Sequence, residues 1–351
     1  MQVPQQVHII TVLPPTDIFS LLLHTVLHAQ QSGTLGSSRV QSIVLKGRGL
    51  VAHEEGTKAA AEGRYAEALP LLREAESALS QHAVSTSAKK SLATLHNALG
   101  GAYKALGKFD EAVSFFDRAR GALLELSRGE EEQQGEATNA GSDEGRAGGI
   151  GGSKAALAGA SLRAEAAQVV ANLGTVRAEM GRAAEAKALY RTALRMLDSS
   201  QVEANDPRRA DVLNNLADAH HSANDHRRAR ELYSRALAIR EQAFGSDHAQ
   251  VAESVNNLAV LLMDQQHYDE ALPLLRRALR IARKTVGKEH PHHATALNNL
   301  AGALVKLRRP AEAKRYFALA LRVNRASLGE EHSTTSLTAA NLAACKASIG
   351  G

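Results

Sequence analysis

Asn214-Asn215-Leu216-Ala217 returns as Asn256-Asn257-Leu258-Ala259 and again as Asn298-Asn299-Leu300-Ala301, 42 residues apart each time. Asn341-Leu342-Ala343 continues the register one period later. A fixed period of that size marks an array of stacked units, none of which buries its apolar face alone. Thirteen residues beyond the leucine lies an alanine, at Ala112, Ala186, Ala229, Ala271 and Ala313. Seventeen beyond lies a bulky residue, Phe116, Tyr190, Tyr233, Leu275 or Phe317; twenty beyond, alanine returns as Ala119, Ala193, Ala236, Ala278 and Ala320. This rhythm predicts two antiparallel helices per unit. The leucine lies on the inner side of the first helix, alanines let the second approach closely, and the bulky residue fills the space beside them.

Leu99 and Leu173 extend the register toward the N-terminus. A weaker first unit runs through Ala68, Leu72 and Ala75, with Glu55 in the leucine's place. The array thus holds seven units, the last with its first helix only. The expected fold is all-α, a right-handed superhelical α-solenoid of about 13 helices in antiparallel pairs. Gly63-Arg64-Tyr65, Gly107-Lys108-Phe109, Gly181-Arg182 and Asn224-Asp225-His226 read as a helix stop followed by a new start.

Composition agrees. The 351 residues hold only 8 prolines and 3 % aromatics, and alanine and leucine fit helices with little entropic loss. Cys345 is the single cysteine, so neither an internal disulfide nor a cysteine-based zinc site is available. The formal charge is a modest +5, concentrated at the C-terminal end, where residues from 251 onward carry 14 Lys/Arg against 8 Asp/Glu. That surplus suits acidic partners.

The alternation of small and large residues over roughly 260 positions resembles the tetratricopeptide repeat. The period is longer than that family's usual unit, and the added length falls in linkers such as Phe244-Gly-Ser-Asp-His-Ala, Val286-Gly-Lys-Glu-His-Pro and Leu328-Gly-Glu-Glu-His-Ser. With the repeated Asn-Asn-Leu-Ala and Tyr268-Asp-Glu-Ala-Leu, residues 200–343 look like the kinesin light chain subtype. The resemblance implies a non-catalytic scaffold that holds a protein or extended peptide in a concave groove lined by the first helices. Kinesin light chains also use a heptad segment to hold their motor and a basic groove to hold acidic cargo. Residues 1–48 carry no sustained heptads, and the groove positions do not clearly reproduce that charge.

Four regions are expected. Residues 1–48 form an extension, either unstructured or an organelle-targeting segment, and 49–128 hold repeats 1 and 2. Residues 129–160, Gly- and Glu-rich, read as a disordered insert, because the spacing from Leu99 to Leu173 is 74. Residues 161–351 hold repeats 3 to 7. The apolar run Ile18 to Leu27 is too short for a membrane span. The location expected is cytoplasmic, with a mitochondrion or plastid as the alternative through residues 1–50. Nothing in the sequence sets the oligomeric state.

The candidate partner-binding residues are an asparagine ladder. Asn172, Asn215, Asn257, Asn299 and Asn341 precede the leucine by one residue; Asn97, Asn214, Asn256 and Asn298 precede it by two. An asparagine pair inside a helix costs propensity, and a carboxamide both donates and accepts, which suits a peptide backbone. The competing reading is that these amides bond neighbouring repeats. Helical stepping adds Asp218 and His221 to the groove. The cations of the second helices, among them Arg276, Arg280, Arg283, Arg322 and Arg325, read as a solvated face; stacking aromatics are absent, which disfavours nucleic acid. His248, His290 and His332 recur once per linker and are expected to tie down the loop, since one ligand per repeat makes no metal site. No cofactor, catalytic or metal-binding motif is found.

Overall fold

The computed structural model describes residues 37–80, 85–140, 149–200 and 202–350, which hold thirteen helices and no strand. The expected extension falls outside the described residues as far as residue 36; from Ser37 the chain is already helical. Two compact bodies, Met1–Val176 and Arg177–Gly351, make up the chain. The first holds α1 (Ser37–Ala61), α2 (Tyr65–Ser80), α3 (Thr86–Ala105), α4 (Phe109–Ala140) and most of α5 (Gly149–Glu179). The second holds the end of α5, then α6 (Ala183–Ser199), α7 (Pro207–His221), α8 (His226–Phe244), α9 (Ala249–Asp264), α10 (Tyr268–Thr285), α11 (Pro291–Lys306), α12 (Pro310–Leu328) and α13 (Ser333–Gly350). Within each body the helices pack in series as an all-α repeat solenoid, with the first helix of repeats 1, 2, 4, 5 and 6 against its second, and α2 against α3, α6 against α7, α8 against α9, α10 against α11 and α12 against α13.

The core follows the sequence rhythm closely. Ala112, Ala119, Ala186, Ala193, Ala229, Ala236, Ala271, Ala313 and Ala320 are fully buried, and Phe116, Tyr190, Tyr233, Leu275 and Phe317 are buried between them. The first repeat obeys the same rule, with Ala68, Leu72 and Ala75 all buried. Close approach is carried by the small residue after the leucine. A Cβ at Gly100 would fall 2.7 Å from the Phe116 ring, and one at Gly56 would fall 2.8 Å from Leu72. Glu55 therefore displaces a leucine without shifting the register.

The helix-to-helix turns share one closure. Arg64, Lys108, Arg182, Asp225, His267 and Arg309 each donate a backbone N–H to the carbonyl five residues back, at 2.8–2.9 Å. That bond requires a left-handed residue just before it. Gly63, Gly107 and Gly181 supply it in the first three repeats, but Asn224, Gln266 and Arg308 take φ of 58°, 63° and 59° in the next three.

Of the stretch expected as a linker, α4 continues to Ala140 and α5 begins at Gly149. Near its ends the two helices touch: Ser127 Oγ donates to the Gly159 carbonyl at 3.1 Å, and Arg163 pairs with Glu131 at 2.9 Å.

Asp206, His248, His290 and His332 stand one period apart and cap the first helices of repeats 4 to 7. Each accepts from the backbone N–H two residues on: Asp206 from Arg208 at 2.9 Å, and the imidazole Nδ1 of His248, His290 and His332 from Gln250, His292 and Thr334 at 3.3, 3.2 and 3.2 Å. An imidazole caps only while that nitrogen is unprotonated. Burial, with the neighbouring His292 adding to it, holds His290 below the ordinary histidine range. Burial likewise lowers His293, and lowers His96 to about 4, with the Arg118 cation helping and Glu76 opposing.

These features set three expectations. Gly100→Val should cost about 1–3 kcal/mol by overpacking, whereas Arg308→Gly should gain about 0.5–1 kcal/mol, the left-handed penalty less glycine's entropy; thermal unfolding followed by circular dichroism measures both. The lowered histidines favour the neutral ring when folded, so their contribution is complete above their unfolded value of 6.5. It is lost as pH falls from there toward about 4 for His96. The melting temperature should therefore decline over that window. His290→Asp, which copies the Asp206 cap, should decline less between pH 7 and 5, and equal declines would show that the imidazole cap is irrelevant.

Candidate ligand groove

The first helices α7, α9, α11 and α13 carry the ladder of the second body. Asn299 Nδ2 on α11 donates to Asn256 Oδ1 on α9 at 2.8 Å, and Asn341 on α13 donates to Asn298 on α11 at 3.4 Å. In the first body Asn172 on α5 makes the same bond to Asn97 on α3 at 3.0 Å. In these three pairs the amide just before the leucine donates back to the amide two before it in the preceding repeat. All six are half-buried, so each bond contributes on the order of 0.5–1.5 kcal/mol to stacking. One face of each amide is spent on the neighbour and the rest stays accessible. Asn215 and Asn257 are half-buried as well but make no such bond among the described residues.

Asn214 departs from the expectation of groove contact. It is 4 % exposed, and its amide oxygen, turned toward the Arg240 guanidinium, accepts from Nη1 at 2.9 Å and Nη2 at 3.2 Å. Arg240 itself is buried. It also donates to the Gln250 carbonyl at 2.9 Å, Ser254 Oγ at 2.9 Å, Glu253 at 3.2 Å and Asp211 at 2.8 Å. The guanidinium fills the junction of α7, α8 and α9, with Asn214 buried against it. The repeat register does not mark Arg240 as functional, although the position 24 residues beyond the key leucine is one where it differs from its counterparts.

Those counterparts are Ala282 in repeat 5 and Asn324 in repeat 6. Asn324 is buried and donates to Thr338 Oγ1 at 3.1 Å, closing the junction of α11, α12 and α13. Ala282 closes nothing. At the equivalent junction of α9, α10 and α11 a cavity of about 300 Å³ opens. Its walls are the methyl groups of Ala249, Ala252, Ala278, Ala282 and Ala296, and Glu253, Asn256, Asn257, His292 and Thr295 stand around them. Two ladder asparagines thus border a mainly apolar opening.

Asp218 and His221 lie near the end of α7. The buried Tyr233 hydroxyl donates to Asp218 Oδ1, and His221 Nε2 meets Asp264 of α9 at 2.7 Å. Burial raises the Asp218 carboxyl against the opposing hydrogen bond, and burial together with the Asp218 charge raises the tyrosine. Both sequence candidates therefore already hold partners within the repeat stack. Among the described residues no group of three His, Cys, Asp or Glu is placed to hold a metal, and no helix is long and apolar enough to cross a membrane.

The tetratricopeptide repeat model matches residues 164–242, 210–284 and 250–326, and a second model of the same description matches residues 95–131. Comparison with curated proteins finds no match. Among solved structures, BtubC (BKLC) from P. vanneervenii aligns with a TM-score of 0.56 at 20 % identity, covering 75 % of this chain and 92 % of that one. The apo form of RapI aligns at 0.55 and 16 % identity, covering 86 % and 72 %. A Rap protein complexed with Competence and Sporulation Factor aligns at 0.52 and 18 %, covering 86 % and 71 %. At such identities the likeness speaks for the fold. The matched repeats together span more than half of the sequence, and the chain belongs to the tetratricopeptide repeat family.

Proposed function

We propose that this chain is a non-catalytic protein-interaction scaffold that takes an extended segment of a partner protein along its first helices. One large apolar side chain of that segment enters the junction of α9, α10 and α11. The observation that carries this reading is the open junction at Ala282, flanked by two junctions that the chain fills itself with Arg240 and Asn324. Its volume sits at the low end for ligand sites, which suits one side chain better than a cofactor. Asn257, which makes no ladder bond among the described residues, and the spare faces of Asn256 and Asn299 offer donors and acceptors to an extended backbone.

The kinesin light chain resemblance of residues 200–343 supports the same use, as does a solved Rap complex on this fold. Acidic cargo is a poor fit at this opening, because Glu253 stands at its rim and no cation lines it.

Ala282→Arg tests the proposal by copying the plug of repeat 4. A peptide selected from a random display library on the wild-type chain should carry a large apolar residue at a fixed position. Its affinity should fall at least about tenfold on Ala282→Arg, since a buried anchor carries 1.4 kcal/mol or more. Asn257→Ala should weaken the same peptide less. Undiminished binding to Ala282→Arg, with helicity intact, would place the ligand elsewhere.

A further inference from the structure

A second recess lies on the other side of α10, in the same body but away from the ladder. It has a volume of about 590 Å³ and is walled by α10, α11 and α12. Its floor is Leu279, Leu297, Tyr316 and Leu319, with the ring and leucines only partly covered except for buried Leu297. Five cations surround it: Arg276, Arg280, Arg283, Lys288 and Arg322. On α10 the helical step of 100° turns Arg276 and Arg280 away from Ala278 and Ala282, which face the first opening.

Among the described residues only two of those cations have an ion pair, and both pairs are long. Arg276 meets Glu312 at 3.9 Å and Arg322 meets Glu289 at 3.8 Å, all four side chains substantially solvated. Neither pair contributes more than a few tenths of a kcal/mol by the usual measure of exposed pairs. Arg280, Arg283 and Lys288 are exposed and make no ion pair among the described residues. The field they leave is felt inside: Arg283 and Lys288 both add to the burial that lowers His293, whose Nδ1 meets the Lys288 carbonyl at 3.0 Å. A solvated face of this composition ordinarily disperses its cations among carboxylates, as happens one side over, where Arg277 bonds Glu241 and Lys284 bonds Asp247. Around the recess Arg280, Arg283 and Lys288 have no such bond among the described residues.

We infer that this recess is a second docking site, taking a partner polypeptide segment that presents leucine-like side chains flanked by carboxylates. Charge complementarity selects the acidic flanks. The recessed floor selects the apolar anchors, since protruding side chains reach between two helices and the flat plane of a lipid headgroup layer does not. Nucleic acid is disfavoured because Tyr316 alone among the floor residues offers a ring to stack a base. The site is independent of the opening at Ala282 and uses none of its lining residues.

The test uses the full chain and a fluorescein-labelled helical peptide bearing leucines at i, i+4 and i+7 with glutamates between them. Saturable binding by fluorescence anisotropy that weakens as salt rises is expected. Binding should drop at least about tenfold in Arg280→Glu/Arg283→Glu, where two attractions become like-charge juxtapositions. It should drop as well when the peptide's glutamates become glutamines or when Leu319 becomes Asp. Ala282→Arg should leave it unchanged. Circular dichroism of each variant checks the fold, and Arg280→Gln/Arg283→Gln, which keeps the helix without repulsion, should give an intermediate loss. The proposal is overturned if the acidic peptide shows no saturable binding or binds the reversed variant equally well. It is also overturned if phosphatidylserine vesicles or a uridine oligonucleotide bind more tightly through the same arginines, or if the chain sediments as a dimer that Arg280→Glu/Arg283→Glu dissociates.

Discussion

In each repeat the two helices can cross only as closely as the residues at the crossing allow, and here those residues are alanines with no exposed surface on one helix and a glycine or alanine on the other. Side chains that small contribute little burial each, roughly a methyl group's worth. Their value is distance: at that separation the ring of Phe116, Tyr190, Tyr233 or Phe317 is enclosed on every side and supplies the apolar area that the alanines lack. A single repeat still leaves its outer sides bare, so the next repeat has to cover them. Register between repeats then becomes a second requirement. The half-buried amide pairs Asn299–Asn256, Asn341–Asn298 and Asn172–Asn97 help to fix it, because an amide slipped by one turn would lose its partner.

The two roles weighed for the ladder are therefore less opposed than they look. An amide has more hydrogen-bonding capacity than one neighbour bond uses. Asn256 accepts from Asn299 and still borders the open junction beside Asn257. A helix-interior asparagine pair, unfavourable by propensity alone, is offset by stacking and leaves polar atoms displayed on the first-helix side as a by-product.

Much of this was legible in the sequence because spacing carries it. The leucine, the alanines and the bulky residue declare themselves by position, and so do the stops at Gly63, Gly107 and Gly181. What was hidden is what spacing does not encode. Gln266 and Arg308 adopt the left-handed turn conformation without the residue type that announces it, forced there by the closure bonds of His267 and Arg309. The helices entering 129–160 rest on polar contacts such as Ser127 to Gly159, which no hydrophobic pattern reports. Asn214 looked identical to Asn256 and Asn298 in sequence; only the burial of Arg240, distant in the chain by 26 residues, separates them. The linker histidines were readable as loop ties, but their capping of the helix that follows depends on ring placement that spacing does not encode.

Arg240, Ala282 and Asn324 show how an array with one repeated architecture can differ from junction to junction. The lining is already made of small residues, because close helix crossing demands them, so each junction of the three is hollow by construction unless something fills it. Filling it with arginine requires several acceptors, and α7 provides Asp211 and Asn214 while α9 of the next repeat provides Ser254 and the Gln250 carbonyl. Filling it with asparagine requires fewer, and Thr338 serves repeat 6. In repeat 5 the position equivalent to Ser254 is Ala296 and the position equivalent to Asp211 is Glu253, which is already turned to Arg240. A cation at 282 would thus meet fewer acceptors than Arg240 does, while the amides of Asn256 and Asn257 remain within the lining. The opening at Ala282 is thus consistent with its surroundings: alanines replace the acceptors of the junction before it, and a mainly apolar wall with amides at its border suits an apolar side chain carried on a peptide backbone.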